Sequence, residues 1–499
     1  MSLLGLDMGT SACKAAIFSE DGVLLASSSR EYSADVPRPG WMEMDPDRMW
    51  NAAVEAVREA SDGLTDSVSA LAVSSQGETF VPVDRDGRSV ASAVMNADNR
   101  AADQVSFFEQ ELGIAAVYSA TGCVLHSMYA LPKILWLKDN RPELYNSTAK
   151  FLSVGDYMLA RLGAEPLTDY SLASRTMAFD VTRREWSDAL LSSAGVGRDR
   201  LPQACPAGTR AGVLSASDAG VFGLSEGTVV AVGGHDQPCG ALGAGVVNPG
   251  DTADSAGSYE CLAMASDRPT LSDEALAYSL NSYCHVVPEK YVTLAFFPAG
   301  VVLRWFRDQF ALPELEEARR TGADAYDLLA SRIPDDPSGV CFTPHFIGSG
   351  NPTWNASATG AVVGLRLDTT RFRLFQAILE GIACEIRTNV GVLERLIGPI
   401  DVLRTTGGGA RSDYWLRLRS DITGKKVATM RGSEAVCLGA AILAGVAAGV
   451  YADAQDGARA VAAFDKVYEP DASRAIEYSE QIARYDKLYP ALAGSEVFE

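Results

Sequence analysis

The chain has 499 residues, more than one hydrophobic core holds, which sets a prior of roughly two to four domains or two large ones. With 47% apolar and 21% charged residues it is neither disordered nor fibrous. Its 43 Lys and Arg against 64 Asp and Glu leave a net charge of −21, which argues against nucleic acid or membrane as partners.

Residues 3–7 (LLGLD) are a short apolar run ending in an acid and a glycine turn. Residues 13–18 (CKAAIF), a turn at Glu20-Asp21-Gly22 and the run VLLASSSREY follow, which predicts a β-meander. Asp47–Ser61 carries apolar residues at helical spacing. SALAVSSQG reads as a strand entering a glycine loop, and Thr228–Gly234 as a buried strand entering His235-Asp236-Gln237.

After Asn248-Pro249-Gly250 the opening pattern returns as TADSAGSYECLAMA, ALAYSLNSYCHVV, a turn at Pro288-Glu289-Lys290, and YVTLAFF. Arg371–Leu396 is a long helix, DVLRTTGGG a strand into a loop, and Ser412–Thr423 a helix. Ala435–Ala452 is uncharged and barely long enough to span a bilayer. It is mostly Ala and Gly, so it predicts a helix packed closely through small side chains.

This alternation is α/β. The anchors Asp7-Met8-Gly9-Thr10-Ser11 and Asp254-Ser255-Ala256-Gly257-Ser258 lie 247 residues apart, almost half the chain, which suggests two similar α/β domains. The nine Cys form no CxxC pair and no zinc-spaced cluster, and the start MSLLGLDMGT lacks a basic leader; both favour a reduced, cytoplasmic protein. Four His are too few for a histidine-rich metal site.

Four segments can carry chemistry. In Asp7-x-Gly9-Thr10-Ser11-x-x-Lys14 the glycine admits close backbone approach, Thr10 and Ser11 offer donors to phosphate oxygens, Asp7 can hold Mg²⁺ through water, and Lys14 supplies a point charge. The same residues also make an ordinary hairpin turn. Asp236, after a buried strand and two glycines, is placed either as a general base or as a helix cap. Thr406-Gly407-Gly408-Gly409-Ala410-Arg411-Ser412 before a helix is a surface for a base or phosphate, or a flexible turn; it is neither a Rossmann fingerprint nor a Walker loop. Gln76 and Glu78 can bond vicinal sugar hydroxyls, or sit in a solvated loop.

In this order and spacing the segments resemble the FGGY family of carbohydrate kinases, within the actin-like ATPase superfamily. The resemblance runs from GLDMGTSACKAAIF through DYMLARLGAEPLTDYSLASRTMAFD, GGHDQPCGALGAGVVNPGD and TGGGARSDYWLRLRSDITGKKV to EAVCLGAAILAGVAAGVY. It implies two RNase H-like domains, 1–246 and 247–499, with the active site in the cleft between them, sugar mainly on the first and ATP mainly on the second.

It further implies Asp236 as the base that takes the proton of the attacking hydroxyl, and Asp7 with Asp236 near Mg²⁺. Gly9, Thr10, Ser11 and Lys14 match the first phosphate loop, Gly257 and Ser258 the second, with Gly300 near the phosphates. Gly408, Gly409 and Asp413 match the adenosine site.

For the sugar, the resemblance points to Gln76, Glu78, Asn96, Asp236 and Gln237. Glycerol kinases carry an Arg-Glu pair where this chain has Gly77-Glu78, and xylulokinases a Met-His-Gly that it lacks. Gly77 in place of a large cation is expected to open volume and remove two donors, which disfavours glycerol and suits a longer ketose or polyol. FIGSGNPTWN (346–355) lacks the charges relatives carry there.

The expected activity is ATP-dependent phosphorylation of a ketose (pentulose or hexulose) or sugar alcohol. The alternatives are a silent sugar-binding regulator, a glycerol or tetritol kinase, and a chaperone-like ATPase. Relatives are often dimers, although no dedicated interface signature is visible. Holding ATP within so acidic a surface requires local backbone amides, a few cations and a metal.

Overall fold

The computed structural model describes residues 1–432, 434–495 and 497–498. The opening run forms β1 (Ser2–Met8), β2 (Ala12–Ser19) and β3 (Leu24–Glu31), the expected meander. β4 (Val68–Ser75), β5 (Arg210–Val213) and β6 (Val229–His235) complete a sheet of order β5-β6-β4-β1-β2-β3. β1, β4 and β6 run parallel and are buried, hence their near-continuous apolar sequences.

A second sheet repeats the arrangement with β7 (Thr252–Ala256), β8 (Tyr259–Ser266), β9 (Asn281–Cys284), β10 (Tyr291–Pro298), β11 (Val402–Thr406), β12 (Lys426–Met430) and β13 (Phe464–Tyr468). Its order is β9-β10-β8-β7-β11-β12-β13. Stripped of edge strand β9, it has the same succession of antiparallel meander, two parallel strands and one antiparallel edge. The duplication read from two five-residue anchors is thus a duplication of sheet topology.

Two helices bind the halves. α1 (Asp236–Gly243) follows β6, and α2 (Ala435–Ala447) follows β12. Ala241 of α1 joins the core containing Ala253, Cys261 and Ala263 of the second sheet, while Cys239 and Leu242 pack with α2. Residues of α2, Leu438 to Ala444, pack with Leu3, Ala16, Ala70 and Ala231 of the first. Each half therefore covers the other's sheet.

The contact is close because the side chains are small. A Cβ at Gly5 would lie 1.8 Å from the Cys437 carbonyl oxygen, and one at Gly439 would lie 1.9 Å from that of Cys239. This accounts for the Ala/Gly composition of the uncharged stretch. Among the described residues no helix is long and apolar enough to cross a membrane.

Candidate active site

The parallel register brings three strand ends together: Met8 of β1 and His235 of β6 both lie beside Ser75 of β4. The residues just beyond them, Gly9–Ser11, Gln76–Glu78 and Asp236–Gln237, therefore share one rim of the first sheet. This is where ligands bind in open α/β sheets.

Gln76 is buried and its side chain is engaged within the protein. Its Nε2 donates to the Gly9 carbonyl at 3.1 Å, and its Oε1 accepts from Thr79 Oγ1 at 2.9 Å and Thr10 Oγ1 at 3.4 Å. Tyr32 Oη also donates to the Gly9 carbonyl, at 2.6 Å. The geometry gives Gln76 the task of fixing the Gly9–Thr10 loop rather than the sugar contact expected of it. Thr10 and Ser11 remain exposed at the tip.

Glu78 is buried, in a left-handed backbone conformation at φ 60°. Arg175 Nε donates to its Oε1 at 2.5 Å, and the guanidinium lies 5.0 Å from the Tyr129 ring and 4.9 Å from the Tyr283 ring. The space at Gly77 is therefore not open. A Cβ there would meet His235 Nε2 at 2.9 Å, His235 Cδ2 at 3.0 Å and Arg175 Cγ at 3.1 Å. The expected gain of volume is corrected: the His235 ring and the stem of Arg175 take the place, and the Arg175 guanidinium supplies a cation to Glu78.

Lys133, fully buried, ties the same turn by donating to the carbonyls of Glu78 at 3.0 Å and Met95 at 2.8 Å. Burial pulls its pKa down to about 7. Asn96 adjoins this tie. Its amide donates to Thr79 Oγ1 at 3.0 Å, and its Oδ1 accepts from the Ala97 amide at 2.8 Å.

Asp236 opens α1 with its side chain 26% exposed, and half-buried Gln237 follows in the same turn. Burial, then the charges of Asp7 and Glu78, push the Asp236 carboxyl up to about 8, against the Gln237 amide and Arg175. Burial likewise raises Asp7 to about 7, with Lys14 opposing. Among the described residues, Asp7 Oδ1 is buried with no hydrogen-bond partner. Two carboxylates raised by burial, one of them also by the charge of the other, with an orphaned oxygen on Asp7, are a donor set that fits a hard cation. The Lys14 ammonium stands 2.7 Å from Glu434, so a phosphate there competes with a carboxylate.

The second half holds a cavity of about 580 Å³, within the range of nucleotide-sized ligands. Gly257, Ser258, Gly300, Gly408 and Gly409 line it, facing an apolar wall of Leu303, Tyr326, Phe375, Leu379 and Trp415. Gly300 starts a helix directly on the Gly257–Ser258 loop: a Cβ there would lie 2.2 Å from the Gly257 carbonyl, and the Val301 amide donates to the Ser258 carbonyl at 2.9 Å. At the cavity floor Arg419 bridges Asp254 and Glu260, at 2.5 and 2.7 Å.

Asp413 departs from expectation. Its carboxylate accepts from Tyr468 Oη at 2.6 Å and Lys466 Nζ at 3.0 Å, both on β13. The members of its helix that line the cavity are Trp415 and Arg419, after Ser412 at the cap.

FIGSGNPTWN is bolted to the second sheet without charges. Asn351 accepts from the Phe296 amide at 2.8 Å and donates to the carbonyls of Tyr278 and Ser279 at 2.8 and 2.9 Å. Arg304 also went unread in the sequence; it lines the cavity and donates to Ser258 Oγ at 3.2 Å. Its signal was an arginine one helical turn after Gly300. That of Arg175 lay in the SRTM of a segment read only for its overall pattern.

Residues 2–243 match the N-terminal domain of the FGGY family of carbohydrate kinases, and residues 253–448 its C-terminal domain. An autoinducer-2 kinase of Klebsiella pneumoniae subsp. pneumoniae is 32% identical, over 98% of this chain and 93% of that protein. A gluconokinase of Bacillus licheniformis is 28% identical, over 98% and 94%. The crystal structure of a xylulose kinase from Rhodospirillum rubrum superposes with a TM-score of 0.86 at 25% identity, covering 99% of each chain. The chain belongs to the FGGY family of carbohydrate kinases.

Proposed function

We propose that this kinase transfers the γ-phosphoryl group of ATP to a hydroxyl of a neutral ketose, a pentulose or hexulose, or of a sugar alcohol. The observation that carries the reading is Asp236. It stands at the end of a buried strand, partly exposed, beside Asp7 and the Arg175–Glu78 pair. A carboxylate whose pKa is raised toward neutrality is a suitable acceptor for the proton of an attacking hydroxyl. Glu78, held by Arg175, offers its remaining lone pairs to sugar hydroxyls, with Asn96 and Gln237 nearby.

The division of labour follows residues 1–246 for sugar and 247–499 for nucleotide, with α1 and α2 exchanged between them. Gly9, Thr10, Ser11, Gly257, Ser258 and Arg304 cradle the phosphates, and Gly408 and Gly409 the adenosine. Asp7 and Asp236 would hold Mg²⁺, which would neutralise phosphate charge. The nine cysteines, all free and buried, suit a reducing cytoplasm.

An aldonate would bring another carboxylate into a site that already holds Asp7, Glu78 and Asp236, and whose Arg175 is paired. The test is ADP release from Mg·ATP over a panel of pentuloses, hexuloses, tetritols, pentitols, glycerol and gluconate. Stimulation by a ketose or alditol is expected. A response to gluconate alone would sink the neutral-substrate reading. Asp236→Asn should abolish transfer and leave ATP affinity nearly unchanged; loss of nucleotide binding as well would remove Asp236 as base.

A further inference from the structure

Taking Asp236 as the base, on which this inference rests, something must aim its carboxylate. His235, the last residue of β6, is buried between two partners. Its Nε2 lies 3.2 Å from Asp236 Oδ1, and its Nδ1 lies 2.8 Å from Tyr283 Oη. Its backbone amide donates to Ser171 Oγ at 2.9 Å, which fixes the ring's origin.

A ring nitrogen facing a carboxylate oxygen is favourable only when it carries the proton. Nε2 is then the protonated nitrogen, and Nδ1 accepts from the Tyr283 hydroxyl. The Tyr283 hydroxyl thus holds the ring by the nitrogen opposite the one that faces Asp236.

Tyr283 belongs to the other half. It lies on β9, the edge of the second sheet, and that strand is sewn to the first half. The Ser282 amide donates to the Gly122 carbonyl at 2.8 Å, and Asn281 Oδ1 accepts from the Val124 amide and Tyr129 Oη, both at 3.0 Å. A Cβ at Gly122 would lie 1.7 Å from the Ser282 carbonyl oxygen, so the two halves meet backbone to backbone here.

We propose that Tyr283 is a positioning residue for phosphoryl transfer, acting across this seam through His235 to fix the carboxylate of Asp236. Seating of β9 against the first half and aim of the base are then one event. The hydroxyl touches neither sugar nor ATP in this scheme; it anchors the imidazole by Nδ1, and the imidazole lies against one carboxylate oxygen so that the other faces the substrate.

Tyr283→Phe keeps the ring on which Arg175 stacks and removes only the hydroxyl. The expected result is a fall in kcat of about tenfold with KM for ATP unchanged. Tyr118→Phe is the control. Tyr118 Oη donates across the same seam to the carbonyls of Leu280 at 2.9 Å and Thr270 at 3.2 Å. That variant should melt lower at unchanged kcat.

In a double-mutant cycle, Tyr283→Phe should add little to His235→Gln, because the link through which it acts is already cut. Wild-type kcat in Tyr283→Phe, an equal loss in Tyr118→Phe, or full additivity with His235→Gln would each overturn the proposal. Asp236→Asn in the same assay separates the two levels. If it still transfers phosphate, the base reading falls; if it is inactive while Tyr283→Phe matches wild type, only the Tyr283 link falls.

Discussion

Arg175 and Glu78 stand 97 residues apart in the chain and 2.5 Å apart in space. The pair is buried, and the guanidinium is further held between two tyrosine rings. Removing one member of a buried pair leaves an uncompensated charge, which costs about 3–5 kcal/mol. Arg175→Met keeps much of the apolar stem and removes the charge. It should lower the melting temperature and raise KM for sugar at least about tenfold, with KM for ATP moving less than about twofold. Equal changes in both constants would take the pair out of the sugar site. Arg175→Lys should recover stability only in part, because an ammonium neither stacks on two rings nor presents the planar fork.

Gly77 follows from the same arrangement. An alanine methyl would press on His235 and on the Arg175 stem, at 2.9–3.1 Å. Neither neighbour yields easily, since His235 is held by Ser171 and Tyr283, and Arg175 by Glu78. Gly77→Ala should therefore destabilise by about 1–3 kcal/mol and lower kcat by displacing the imidazole beside Asp236. Melting temperature and kcat measured on one preparation check it; a variant with wild-type values of both would show that the site yields.

These two residues mark what the sequence revealed and what it hid. The meander, the strand-end acids Asp7 and Asp236 and the Gly407–Gly409 run are local patterns, and alternation, an acid after an apolar run or three glycines before a helix can be read without a partner. Arg175 is an arginine after a short helix until β4 and β6 bring residue 78 and residue 235 to it. Tyr283 is an aromatic in an edge strand until the seam closes. A ligand role for Gln76 rests on its place after an apolar strand, and one for Asp413 on the family resemblance; neither shows which neighbours bond the side chain. Thr79, Gly9, Tyr468 and Lys466 bond those groups, and all but Thr79 lie on other turns or strands.

The glycines at 408 and 409 separate ligand from packing. A Cβ at Gly408 would meet nothing within 4 Å, although the residue lines the cavity. A Cβ at Gly409 would lie 2.7 Å from the Ala256 methyl. Gly408→Ala should fold with nearly unchanged stability and raise KM for ATP about tenfold, because the methyl enters space the nucleotide uses. Gly409→Ala should lose stability first. Thermal melting with and without ATP distinguishes them: ligand-induced stabilisation shrinks for Gly408→Ala even though its ligand-free melting temperature does not. Full retention of that stabilisation would move the adenosine elsewhere.

Glu380 provides the pH dependence. It lies on the 26-residue helix Arg371–Leu396, where the Ser338 amide donates to its Oε1 at 3.0 Å, and the Ser338 hydroxyl and Gln481 amide donate to Oε2. Burial outweighs these donors and pushes its carboxyl from 4.5 up to about 7. The folded protein therefore holds this proton more tightly than the unfolded chain. The stabilisation is complete below the unfolded pKa of 4.5 and is lost as pH rises through about 7; at full extent it is on the order of 3 kcal/mol. Asp156 and Asp169, raised by burial to about 7 and about 6, act with the same sign. These three carboxyls should accordingly pull the melting temperature down between about pH 5 and about pH 8, against His285, lowered by burial to about 4, and Lys133, lowered to about 7, which act with the opposite sign. Glu380→Gln cannot titrate, so its decline should be shallower without becoming flat. Melting both proteins across that window decides the matter: parallel curves would mean that Glu380 is charged in the folded protein throughout.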